Sequence, residues 1–182
     1  PKGYLGGILG KCYSSLAISG QYGPNGAADI NGMDGGTSQY TRVMFYLEDL
    51  PTDIGLWIYQ DAGVYDMVQD VWAANNVIIY YTHIAVCNDF IRLTRNLGTY
   101  GISVGGSGDT AISQDELDQM VREARALRGL SYYYVINWFG RAVIAWDDMN
   151  YGDTPAQAAS AKELFDKVTA DLEDVLATWP QN

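Results

Sequence analysis

The sequence predicts a mainly α fold: antiparallel, tetratricopeptide-like helix pairs with irregular glycine-rich loops. Three observations carry this. From Leu117 to Trp138, Met120, Val121, Ala124, Leu127, Ser131, Tyr134 and Val135 recur at three- and four-residue steps, the spacing of one buried helix face. Tyr132, Tyr133, Ile136 and Phe139 cover much of the other side, and a helix apolar all round belongs inside a larger body. Second, two Ser-x-x-Glu capping boxes, Ser113–Glu116 and Ser160–Glu163, open long periodic segments. Third, half of the 20 glycines fall before residue 41, where long helices are disfavoured. Two capped helices joined by a loop make an antiparallel pair. Such pairs stack in solenoids and need several copies to close their apolar faces, so further helices are expected to follow Asn182. The stripes do not follow the standard repeat consensus.

In chain order, Tyr4-Leu5 and Ile8-Leu9 suggest a first helix running through Tyr13 to Leu16. Gly20 to Gly36 is turn-rich and reads as loop. Thr41 to Leu47, β-branched and aromatic, reads as a short strand, and Glu48 to Gly55 as a turn with Pro51 barring a helix. Leu56 to Tyr65 is aromatic without clean periodicity. A helix follows over 76–96, its inner face Val77, Tyr80, Tyr81, Ile84, Cys87, Asn88 and Ile91. Arg92 and Arg95 suit its C-terminal dipole, and Gly98 reads as its cap. Gly101 to Asp109 reads as a glycine-rich loop, Gly140 as the stop of the central helix, and Arg141 to Gln157 as a loop. The last helix buries Leu164, Phe165, Val168, Leu172, Val175, Leu176 and Trp179, and Pro180 ends it.

A net charge of −11 repels phosphate backbones, and no Lys/Arg cluster offsets it, so nucleic acid is not an expected partner. No apolar run is long enough to span a membrane. The chain opens at Pro1 without Met, which reads as a trimmed or mature form. Of the two cysteines, Cys87 lies in an apolar helical pattern and reads as a buried thiol; pairing with Cys12 is left open.

Catalytic and metal signatures fail on inspection. His83, the one histidine, sits in a helical pattern outside any recognisable triad and reads as a packed or surface side chain. The run Gly6 to Lys11 lacks the first glycine of a phosphate loop, which would fall at Leu5. Asp29 to Asp34 fails the calcium-loop pattern at Met33 and Tyr40. Asp147-Asp148 are adjacent and read as solvated, whereas glycosidase carboxylates flank a bond from opposite sides. No catalytic residue, metal site or cofactor is therefore expected. Trp57 and Tyr59 alternate after a turn, with Arg42 nearby. Aromatic faces stack on sugar rings and a guanidinium bonds hydroxyls, though the same residue types also build cores.

Glu123-Ala-Arg125-Ala-Leu127-Arg128, followed by Tyr133 and Phe139-Gly140, resembles the central helix motif of the SusD/RagB family of surface glycan-binding lipoproteins. Ile84 to Asn88 and Lys162 to Pro180 resemble the family's flanking helices. In the first half, Ser19-Gly20-Gln21, Asp29 to Gly35, Tyr40 to Phe45, Leu50-Pro51-Thr52-Asp53 and Leu56-Trp57 resemble the starch-binding branch in the same order. The resemblance implies that residues 1–182 are the N-terminal part of a single domain, with 1–70 a loop-rich segment contacting glycan and 71–182 a helical scaffold. It implies non-catalytic binding of oligosaccharide or polysaccharide, α-glucan favoured, at the bacterial outer membrane. It further implies a lipid anchor lying outside this chain and delivery to a TonB-dependent transporter. Carried over by position, Arg42 falls at a sugar-contacting arginine and Tyr59 at a stacking aromatic, with Trp57 beside it. The alternative is a helical scaffold that docks a transporter or other protein without its own sugar site.

Overall fold

The computed structural model describes residues 2–17, 40–49, 51–52, 55, 78–105, 108, 111–149 and 157–180. Its elements are α1 (Lys2–Ser14), α2 (Tyr40–Met44), a π-helical turn (Phe45–Asp49), α3 (Ile78–Thr94), a 3-10 turn (Leu97–Tyr100), β1 (Ser103–Val104), β2 (Ala111–Ile112), α4 (Gln114–Phe139), β3 (Arg141–Val143), β4 (Ala158–Ser160) and α5 (Ala161–Thr178). The chain divides into two compact units, one of Pro1–Tyr13 with His83–Asn182 and one of Ser14–Thr82.

The first unit is a helical stack around α4. Both capping boxes form in full: the Ser113 and Ser160 hydroxyls accept from the backbone N–H of Glu116 and Glu163, whose carboxylates accept in return from the serine N–H. Gly140 ends α4 in the left-handed conformation (φ 59°), where its N–H donates to the Ile136 carbonyl. Asn88 and His83 of α3 meet Arg128 and Ser131 of α4, so the two helices run antiparallel. Helix α5 runs back along α4, with Asp171 on Arg125 and Arg128. At Gly129 an added Cβ would lie 2.7 Å from Leu172 Cδ2, so the glycine lets the two backbones approach. Three antiparallel helices in sequence are the tetratricopeptide-like arrangement expected.

Several details differ from expectation. Thr41 to Leu47 is helix and π-turn rather than strand: in a short aromatic run, tertiary contacts decide the backbone. Helix α3 ends at Thr94, Gly98 sits inside the 3-10 turn, and Gly101 (φ 68°) takes the left-handed position instead. The expected glycine-rich loop contains β1, which pairs in parallel with β2, and Ile112 of β2 is buried. The expected 141–157 loop is clasped at its ends, with Arg141, Ala142 and Val143 pairing antiparallel to Ser160, Ala159 and Ala158. On α4 the buried set includes Arg128 and Tyr132, while Tyr133 and Phe139 are exposed. On α5 only Leu164, Val168 and Val175 are buried; Phe165 and Leu176 stay 57% and 68% exposed, because α4 covers a narrower stripe than the sequence offers.

The second unit is described in part. Tyr40 and Tyr80 pack with ring centroids 4.1 Å apart, and the Tyr80 hydroxyl donates to the Tyr40 carbonyl at 2.7 Å. Val43 and Ile79 are buried. The Phe45 ring lies against Gly55, and the Thr52 hydroxyl closes a turn on the Asp49 carbonyl.

Candidate functional site

Arg42 lies in α2, between the buried Tyr40 and Val43. Tyr80 fixes that helix through its bond to the Tyr40 carbonyl, so the backbone presenting Arg42 has a rigid anchor. The Arg42 side chain, Trp57 and Tyr59 lie outside the described residues.

The specific helix motif proves to build a buried charged cluster. Arg128 is 1% exposed. Its guanidinium donates to Asn88 Oδ1 at 2.8 Å, to Asp171 Oδ2 at 2.8 Å and to Asp147, and its Cζ lies over the Trp146 ring, 3.7 Å from the centroid. Its Nε has no hydrogen-bond partner among the described residues. Arg125 adds bonds to Asp171 and Asp174, and Arg95 reaches Asp147 from the outside. Asn88 donates onward to the Ala145 carbonyl at 3.0 Å, and the Tyr132 hydroxyl both donates to and accepts from Ala145. Asp147, expected to be solvated, is therefore buried; Asp148 beside it is exposed. Burial alone would raise the Asp147 pKa, but the guanidinium groups of Arg128 and Arg95 outweigh it and hold the carboxyl below its usual range. A cavity of about 320 Å³ opens beside this cluster, lined by Arg95, Arg125, Arg128, Trp146, Asp147 and Asp171. Apart from Arg128 Nε, these groups pair with one another and pin the segment after β3 to three helices.

A second, neutral cluster surrounds His83, which is fully buried. The ring Nε2 lies 3.0 Å from the Cys12 carbonyl, which can only accept, so Nε2 carries the proton. Nδ1 then accepts from the Ser131 hydroxyl at 2.6 Å. Burial pushes the His83 pKa down to about 4, against a smaller opposing effect of the Cys12 carbonyl. The sequence suggested no catalytic partner, and the fold supplies a serine. Ser131 is also fully buried, so no substrate reaches its oxygen. The pair is structural, as a packed histidine would be.

An open groove of about 780 Å³ runs between α1, the first turns of α4 and the end of α5, lined by Leu9, Met120, Arg122, Glu123 and Trp179 among others. Glu116 on its edge is held down to about 2 by the Lys2 ammonium and its capping bonds. Among the described residues no group of three or more His, Cys, Asp or Glu side chains is placed to hold a metal. No described helix is long and apolar enough to cross a membrane.

No protein-family model matches the chain. The chain is 26% identical over 172 residues to the starch-binding protein SusD of Bacteroides thetaiotaomicron, covering 94% of this chain and 29% of SusD. Among solved structures, surface glycan-binding protein A of Bacteroides uniformis superposes with a TM-score of 0.63 at 14% identity, over 98% of this chain and 35% of that one. The corresponding protein of Bacteroides fluxus gives 0.58 at 20% identity over 98% and 33%. A SusD-like carbohydrate-binding protein of Bacteroides fragilis gives 0.62 at 14% identity over 100% and 32%. The chain thus spans about a third of the length of these relatives. Sequence similarity along nearly the whole chain and a shared fold agree: the chain is similar to SusD and has the fold of SusD-like proteins over about a third of their length.

Proposed function

We propose that the protein binds glycans without cleaving them, at the bacterial cell surface, and passes them to a TonB-dependent outer-membrane transporter. Starch and maltooligosaccharides are the favoured ligands. The observation that carries this reading is the match to a starch-binding protein over 94% of the chain. Arg42, Trp57 and Tyr59 are the residues assigned to the sugar. Two aromatic faces follow the curve of an α-linked glucan through C–H contacts, while a guanidinium fork bonds ring hydroxyls. Stacking reads ring shape more than hydroxyl pattern, so discrimination between related glucans rests on chain curvature. Membrane attachment falls to a lipid anchor.

The test is calorimetric titration of the full-length protein with maltoheptaose and with a β-linked glucan of similar length. Binding of the first alone is expected, with no sugar released on incubation. Tyr59→Ala should weaken maltoheptaose binding at least about tenfold, the effect of one lost stacking contact. Unchanged affinity would remove Tyr59 from the site, and binding of neither glucan would detach the protein from starch.

A further inference from the structure

The two cysteines come together. Cys12 lies near the end of α1 and Cys87 in the middle of α3, and both are fully buried thiols. Cys12 Sγ lies 3.8 Å from the carbonyl of Val86, the residue before Cys87. Cys87 Sγ lies 3.8 Å from His83 Nε2, and that same nitrogen holds the Cys12 carbonyl at 3.0 Å. His83 thus fixes one cysteine by its backbone and the other by its sulfur. Among the described residues no group of three or more His, Cys, Asp or Glu side chains, these included, is placed to hold a metal.

We infer that Cys12 and Cys87 are a cross-linking pair, closed as a disulfide between α1 and α3 in the mature protein. This goes beyond sugar binding and stands on the geometry alone. The oxidant is an external disulfide, of a protein or a small molecule. One cysteine thiolate attacks it and releases the first thiol; the second cysteine displaces the other, forming the Sγ–Sγ bond. Two protons leave the cysteines, and two electrons end on the oxidant, now reduced to two thiols. The exchange belongs to folding, before α1 docks, because the docked sulfurs are closed to solvent.

The position gives the link its use. The second compact unit leaves the first after Tyr13 and returns to it at His83. Cys12 and Cys87 flank these two crossing points, so the bond fastens the two chain segments through which that unit is inserted. It also secures α1, whose four glycines, Gly3, Gly6, Gly7 and Gly10, make it a weak helix on its own.

The experiment is a mass map of the full-length protein, purified without reductant and unfolded in the presence of a maleimide. A peptide pair joining Cys12 to Cys87, separable by reduction, is expected. Recovery of both cysteines as maleimide adducts would overturn the inference, as would either one joined to another partner. Thermal unfolding gives an independent readout. Reductant should lower the wild-type Tm by roughly 5–10 °C and leave the Cys12→Ser/Cys87→Ser double variant unmoved. Equal responses, or none in either protein, would count against the link.

Discussion

Arg128 and Ser131 stand one turn apart on α4, yet the clusters they join are built in opposite ways. Around Arg128 the buried groups are ionic: one guanidinium between two aspartates, an amide and an indole. Around His83 they are neutral: an imidazole, a hydroxyl, a peptide carbonyl and two thiols. Burying charges costs several kcal/mol per ion, which good pairing only offsets, so a buried ion network is weak evidence for stability as such. What it does supply is geometry. Arg128 accepts one arrangement of α3, α5 and the segment carrying Trp146 and Asp147, because any other leaves a charge unpaired. The neutral cluster imposes less and costs less, and its dependence on pH differs.

Breaking the charged cluster should have the largest effect. Arg128→Met leaves Asp147 and Asp171 buried without their main cation, and about 3–5 kcal/mol of stability should be lost, read from the denaturant midpoint of the full-length protein. A loss below about 1 kcal/mol would mean that solvent or a rearranged Arg125 or Arg95 replaces it.

Acid separates the two clusters. The folded pKa of His83 is lowered to about 4 from the ordinary 6.5. Below pH 6.5 the unfolded chain therefore binds a proton that the folded chain refuses, and stability falls as pH drops, until about pH 4. The total is roughly 3 kcal/mol, at about 1.4 kcal/mol per pH unit. Asp147 has a folded pKa below its ordinary 3.8, so its contribution is present above that value and is lost only as pH falls further. The capping carboxylates Glu116 and Glu163, also lowered, add to this more acidic phase. His83→Gln should flatten the slope between pH 6.5 and 4 and leave the more acidic loss in place. A wild-type slope of zero in the upper window would show that the histidine is protonated in the folded state.

The smallest effect sharpens the question of whether charge or spacing sets the fit of α5. Gly129→Ala would place its Cβ 2.7 Å from Leu172 Cδ2 and 3.1 Å from its Cγ. A crowding cost of about 1–3 kcal/mol opposes the roughly 1 kcal/mol gained in helix propensity, leaving a net loss near 1 kcal/mol. With Leu172→Ala in the same chain the clash disappears. The double-mutant cycle should therefore show a favourable coupling of about 2 kcal/mol, the crowding cost removed.

These clusters also mark how far the sequence could be read. Both capping boxes and Gly140 were legible because each acts within four residues. The stripe Leu117, Ala124, Leu127, Ser131 and Val135 was legible because the helix period is local. Arg128 was not: as a pattern letter it is polar, and only partners 19, 40 and 43 positions away make its burial tolerable. The β3–β4 pairing was hidden for a similar reason, since three-residue strands carry no periodicity. Resemblance named Arg42 and Tyr59 by position and alternation added Trp57, while the fold accounts for only the backbone of Arg42, in a helix where a strand was expected.

That short β3–β4 clasp has a practical consequence. It joins the end of α4 to the start of α5 independently of the chain running between them, and Arg128, Tyr132, Asn88 and Arg92 secure that intervening chain as far as Met149. The ends of the two helices are thus tied to each other through backbone pairs and not only through the chain that links them. A protease cut between Met149 and Gln157 should therefore leave α4 and α5 paired, giving a way to open the chain there without parting the two helices.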